Sequence, residues 1–243
     1  MVASIEGIFF TPIASQPMVS LEQANLIQGV GLEGDRYSQK VGTYSVLKSS
    51  IYKPGEQEPG RQLTVISGDG AREALRNSGI EWTKSIGDLR RNLVLTGITS
   101  SELLGALGSI IEVGTSGVRL LLHRNCVPCM YNERRNGTPG LMEALWEAGG
   151  VSCEVIEGGT IAVGDQISIK PNDEGLVVDA GFRDKGFFVR PSKRSAEMVR
   201  ESLKGNKELY RMMTVSDPEG TSRAQASYES VGLSFWPKTG TTT

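Results

Sequence analysis

The feature that most constrains this chain is the shortness of its apolar runs, which through the first 170 residues are repeatedly cut by glycine or proline. Ser4 to Phe10 is β-rich and closes at Thr11-Pro12, and Gln62 to Ile66 alternates Leu63 and Val65 with polar neighbours. Asn92 to Leu95, Ser109 to Val113, Val118 to Leu122, Val151 to Ile156 and Gln166 to Lys170 continue the series. Runs of this length, joined by turn residues, predict strands. Their number, and the lack of a regular helix between them, predict a mainly β, barrel-like fold with a few peripheral helices rather than a βαβ repeat.

Two helices are expected outside the strands. The first is Gly70 to Asn77, with Asp69 as N-cap and Gly79 as stop. The second is Thr138 to Ala148, with Thr138 as cap, Pro139 at the first helical position and an apolar stripe of Leu141, Ala144, Leu145 and Ala148. Met130 to Gly137 reads as poor in helix. After Pro171 the character shifts to mixed charge with few apolar runs. The chain is therefore expected to divide into a barrel domain at 1–170 and a C-terminal extension at 171–243, with a helix near Ser195 to Leu203 and a loose tail from Lys238 to Thr243.

Composition narrows the chemistry. One histidine cannot build a three-imidazole zinc centre or a two-histidine iron site, and three cysteines cannot build a four-cysteine cluster. A net charge of −2 and a pI near 5.7 give no general attraction to nucleic acid. No apolar stretch approaches the roughly 18 residues a membrane helix needs. Met1 to Phe10 lacks the basic start of a signal peptide, and the odd, closely spaced cysteines suit a reducing compartment, so a cytoplasmic protein is expected.

The scarce ligands are concentrated. Leu121 to Asn132, LLHRNCVPCMYN, holds the only histidine, His123, and two of the three cysteines, Cys126 and Cys129. Arg124, Arg134 and Arg135 flank them, and a nearby cation favours the thiolate that does nucleophilic or soft-metal chemistry. Three readings of CVPC stay open: a redox dithiol, half of a zinc site completed by His123 and Cys153, or one thiol acting alone. The first normally opens a helix after a strand. His123 is expected to share a strand face with Asn125, within reach of a proton-shuttle role. The glycines of Gly31-Leu-Glu-Gly34 and Gly158-Gly159 read as turns, not as phosphate loops.

The order of several segments resembles the MOSC domain, the module named after the C-terminal part of molybdenum cofactor sulfurases. The matching pieces are GIFFTP with Pro17-Met18, GLEGDRY at 31–37, RQLTVIS at 61–67, GDLRRNLVLTGI at 87–98, LLGALGSIIEVG at 103–114, Pro128-Cys129 and GGTIAVGDQI at 158–167. The resemblance implies a β-barrel-like fold and a molybdenum cofactor (molybdopterin), with Cys129 as metal ligand or sulfur carrier and Cys126 as a second thiol beside it. It also implies reduction of N-hydroxylated or N-oxygenated small molecules, or sulfur transfer, or a non-catalytic carrier of cofactor or sulfur. A molybdopterin adds a phosphate that needs cationic donors. The candidates are Arg36, Arg90, Arg91 and Arg124, with Asn92 offering an amide to the pterin. Nothing resembles a flavin or iron–sulfur site, so electrons or sulfur would come from a separate donor protein.

Overall fold

The computed structural model describes residues 2–13, 16–38, 59–126, 128–178, 226 and 229–232. The expected helix at 195–203 and tail at 238–243 lie outside them. The main sheet has eight strands: β1 (Ser4–Phe10), β2 (Val19–Leu21), β5 (Leu63–Ser67), β6 (Leu93–Thr96), β7 (Ile110–Val113), β8 (Val118–Asn125), β9 (Val151–Glu157) and β11 (Ile167–Lys170). A second sheet holds β3 (Gln23–Ile27), β4 (Gly31–Leu32) and β10 (Gly159–Ala162). The strand orders are β11-β7-β8-β9-β5-β6-β1-β2 and β10-β3-β4.

The large sheet curls until its β11 end meets β1. Ile5 N donates to Asp165 O at 2.9 Å, Ile167 N donates to Ala3 O at 2.9 Å, and Ser4 bridges Gln166, so the β11 end is tied to β1. Closure of this kind removes a free edge and encloses one core. Alternation places Leu63 and Val65 of β5, Leu93 and Leu95 of β6, and Leu120 and Leu122 of β8 inside. Ala24, Leu26, Leu32 and Ile161 bring the small sheet onto the same core. The fold is the expected mainly β barrel.

β5 and β6 are buried on both faces. Ile66 and Val94 point outward beneath a second apolar cluster of Ala71, Leu75, Ile86, Leu89, Leu141, Leu145 and Ala148. β5 and β6 pair in parallel and are joined by α1 (Gly68–Asn77), a single crossover unit in an otherwise antiparallel barrel. Ser67 rather than Asp69 caps α1, its hydroxyl accepting Gly70 N at 2.9 Å, while Asp69 accepts Thr96 Oγ1 and Gly97 N. A further helix, α2 (Ser100–Gly105), is opened by a Thr99/Glu102 capping box that the strand reading passed over.

Two helical expectations change around the cysteines. Met130–Asn136 is helical (α3), with Cys129 as N-cap, although its composition favours helix weakly. Tertiary bonds hold it: Asn132 Nδ2 donates to Leu89 O at 3.0 Å, and Asn136 Nδ2 to Asp88 O at 3.2 Å, both in the 3-10 turn Ile86–Leu89. The helix expected from Thr138 is reduced to α4 (Leu141–Ala144). Gly140 takes φ 83° before it, and Met142 N is satisfied by Glu133 Oε2 from α3 rather than by a cap at Thr138. The stripe residues Leu141, Leu145 and Ala148 are nonetheless buried in the outer cluster. Beyond β11, Asn172 closes a turn on Leu176, and Glu174 ion-pairs with Arg119 on β8. No helix among the described residues is long and apolar enough to cross a membrane.

Candidate functional site

The segment from Leu89 to Asn92 is the hub of the site. Arg91 is buried, and its guanidinium meets only backbone carbonyls: Nε to Gly149 O at 2.7 Å, Nη1 to Leu89 O at 3.0 Å, and Nη2 to Cys126 O at 3.2 Å. Asn92 is buried beside it. Its Oδ1 accepts Thr64 N at 3.1 Å and Thr64 Oγ1 at 2.8 Å, and its Nδ2 donates to Phe9 O and Asp35 Oδ1. Both side chains, expected to face a cofactor, are braces in this structure. Their hydrogen-bonding capacity goes to the backbone, to the Thr64 hydroxyl and to Asp35.

Asp35 links this brace to the cations. It is buried, Oδ1 accepts Thr11 N at 3.0 Å, and Oδ2 accepts Tyr37 N at 2.9 Å. Arg36 lies over the Tyr37 ring at 4.5 Å and donates Nη2 to the phenol oxygen at 2.9 Å. Its Nη1 is buried without a hydrogen-bond partner among the described residues. Arg90 is the one described non-glycine residue with positive φ, 64°, a backbone conformation that costs roughly 1–3 kcal/mol and collects at functional sites. It closes the Ile86–Leu89 turn through Arg90 N to Gly87 O, and its Nη1 reaches Gln16 O at 2.9 Å.

The electrostatics of these residues are coupled. Burial, with Arg36 and Arg135 adding to it, pushes the Arg90 guanidinium down to about 10, against the pull of Tyr131 and Tyr37. Burial likewise works to lower Arg36, but Tyr37, Asp35 and Tyr131 outweigh it and hold the group above its ordinary value. Burial alone would raise the Tyr37 phenol; the Arg36 and Arg61 charges reverse this and leave it below its ordinary value. The cluster therefore contains Arg36, Arg61, Arg90 and Arg135 around two tyrosines. One of these, Tyr131, sits two residues beyond Cys129 on α3. Arg61, Arg135, Tyr37 and Tyr131 were not singled out for this role from sequence, because residues from four distant segments meet only in the fold.

The two neighbouring thiols occupy different settings. Cys126 follows β8, with its N–H on Gly150 O at 2.8 Å and its carbonyl held by Arg91. It lies close enough to Cys153 to add to the effect of burial, which drives that core thiol well above the usual range. Cys129 is half-buried at the start of α3, makes no side-chain cap bond, and accepts Asn132 N at 2.9 Å through its carbonyl. It thus opens the helix that carries Tyr131, whose phenol acts on the Arg36 and Arg90 guanidiniums.

The zinc reading does not survive this geometry. Cys153 is fully buried in the barrel core, and among the described residues no three His, Cys, Asp or Glu side chains are grouped to hold a metal. His123 sits at a bulge in β8, where the register slips between Leu122 and Arg124. Its Nε2 is 3.0 Å from Glu154 Oε2, on the face opposite the Leu122–Cys153 pair, while Asn125 pairs with Val151 on the core side. The expected common face of His123 and Asn125 is therefore lost, since a bulge reverses the alternation. Arg124 packs near the 3-10 turn Pro59–Arg61, against Gly60.

Residues 56–168 match the family model described as the MOSC domain. Over that segment the chain is similar to the MOSC domain. The matched segment contains the Arg90–Asn92 hub and both thiols, whereas Arg36 and Tyr37 lie before it. The YuaD protein from Bacillus subtilis is similar in structure, at 21% identity over 71% of this chain and 98% of that one, with a TM-score of 0.54. YiiM from Escherichia coli is also similar, at 14% identity over 84% of this chain and 94% of that one, with a TM-score of 0.48. At this identity the similarity to YuaD shows the fold alone. No curated protein gives a significant sequence match.

Proposed function

We propose that the protein binds a molybdenum cofactor of the molybdopterin type through Cys129 and reduces N-hydroxylated or N-oxygenated small molecules, with electrons delivered by a separate donor protein. The observation that carries this reading is the buried Arg36 Nη1, without a hydrogen-bond partner among the described residues, in an arginine–tyrosine cluster that includes Tyr131, two residues beyond Cys129. A buried donor without an acceptor costs about 1–3 kcal/mol, which an anionic ligand would recover. The donor set suits the group: a soft thiolate for the metal, and Arg36 and Arg90 for a phosphate. When bound, the cofactor supplies the two-electron chemistry of its metal.

The chain's own residues bind and orient. Arg36 and Arg90 neutralise the phosphate, and Asp35 holds the Arg36–Tyr37 turn through Tyr37 N. Cys126, with both backbone groups bonded and its thiol near Cys153, is structural in this reading. The test is metal analysis of the full chain made in a host that synthesises the cofactor. C129S is expected to lose molybdenum and C126S to keep it. Equal molybdenum in C129S would remove Cys129 from the ligand role. Stoichiometric cofactor with no turnover, for any electron donor supplied, would favour a carrier.

A further inference from the structure

We infer that Arg91 is the positioning residue of the thiol segment: its guanidinium, clamped on the Cys126 and Gly149 carbonyls, sets where the α3 start presents Cys129. This rests on the reading of Cys129 as the working thiol. A buried arginine is seldom left with carbonyl partners alone, since its desolvation is normally offset by a carboxylate. Here the three nitrogens bond Gly149 O, Leu89 O and Cys126 O, and so tie three separate segments to one plane.

Two further observations converge on the same bracket. Gly149 has no room for a side chain, because a Cβ would lie 2.6 Å from Cys126 O and 3.0 Å from Pro128 Cδ. The thiol segment therefore runs directly over the glycine whose carbonyl Arg91 holds. On the other side of Cys129, Asn132 and Asn136 bind the carbonyls of Leu89 and Asp88. The segment is thus gripped before Cys129 by the Arg91 side chain and after it by bonds to the backbone just preceding Arg91. Cys129, which has no cap bond of its own, takes its position from those two grips.

Lysine cannot reproduce this. Its ammonium is a point donor on a flexible stem and cannot span three carbonyls in the fixed fork of a guanidinium. Loss of a group that orients a metal ligand typically costs about 10–100-fold in metal affinity. Three readouts test the inference on the full chain: cofactor retained during dialysis, the rate at which iodoacetamide modifies Cys129 in cofactor-free protein by peptide mass spectrometry, and rescue of R91A by millimolar guanidinium ion.

R91A and R91K are both expected to lose about 10–100-fold in apparent cofactor affinity and to show an altered Cys129 modification rate. Guanidinium, not ammonium, should restore both in R91A. If R91A does not fold, R91K and G149A carry the test, the latter displacing the Cys126 carbonyl with Arg91 intact. Folded R91K with parental cofactor retention and parental Cys129 reactivity would overturn the inference. Molybdenum retained in C129S would instead overturn the ligand reading, and the Cys129 modification rate would still decide the role of Arg91.

Discussion

Arg91 and Arg36 are arginines with opposite fates. Arg91 is saturated, its three nitrogens on carbonyl oxygens, while Arg36 has one nitrogen on Tyr37 and another buried with no acceptor among the described residues. The saturated side, which includes Asn92, Thr64 and the Gly149-Gly150 pair, is built to hold position. The unsaturated side carries the positive φ of Arg90, a guanidinium there that burial opposes, and the unpartnered Arg36 nitrogen. The difference teaches where substitutions should be felt as lost stability and where as lost binding.

Gly150 offers the largest effect on the saturated side. It has φ 87°, and a Cβ there would collide with the Val65 carbonyl oxygen. G150A is expected to cost about 3 kcal/mol or more in a urea melt, and a near-parental midpoint would show that this wall yields. Next is N92A, which strands Thr64 N in the interior, takes one of its donors from Asp35 Oδ1, and should cost about 2–3 kcal/mol by the same measurement. S67A removes the α1 cap and the bond to Ile98 O, for about 1–2 kcal/mol. If these three cost nothing, the contrast between the two sides collapses.

The unsaturated side should respond in the other direction. R36Q is expected to leave stability within about 0.5 kcal/mol of the parent. It should abolish the rise in Tm that inorganic phosphate gives the parent by binding the native state. A phosphate effect undiminished in R36Q would show that the anion binds elsewhere.

The smallest effect is the pH dependence of Tyr37. Its folded phenol lies below its unfolded value, so its ionisation stabilises the fold fully above that unfolded value of about 10, and the contribution is lost as pH falls through the folded one. In R36Q the phenolic absorbance transition, assigned by difference from Y37F, should move upward.

Much of the barrel was legible in the sequence. Ser4–Phe10 is a strand with the expected bounds, and the remaining six runs differ by three residues or fewer at an end, because alternation under a closed sheet is a local property of the chain. The small sheet was missed, although Gln23 to Ile27 alternates with Ala24 and Leu26 buried. Its strands are short, and Gly158-Gly159, read as a turn, runs into β10. The helix at Met130–Asn136 could not be read locally, since the Leu89 and Asp88 carbonyls that hold it lie more than forty residues away.

For the site, the sequence by itself determined the inventory: one histidine, two neighbouring thiols and the arginines near them, in an order that resembles a MOSC domain. Scarcity and spacing are properties of the chain alone. Only the tertiary structure decided the roles, because a side chain's role depends on which partners reach it. Arg91 and Asn92 became supports, and Cys126 was drawn toward Cys153. Arg36 was left with a buried nitrogen that has no partner among the described residues, and Arg90 with a charge that burial and the neighbouring arginines oppose.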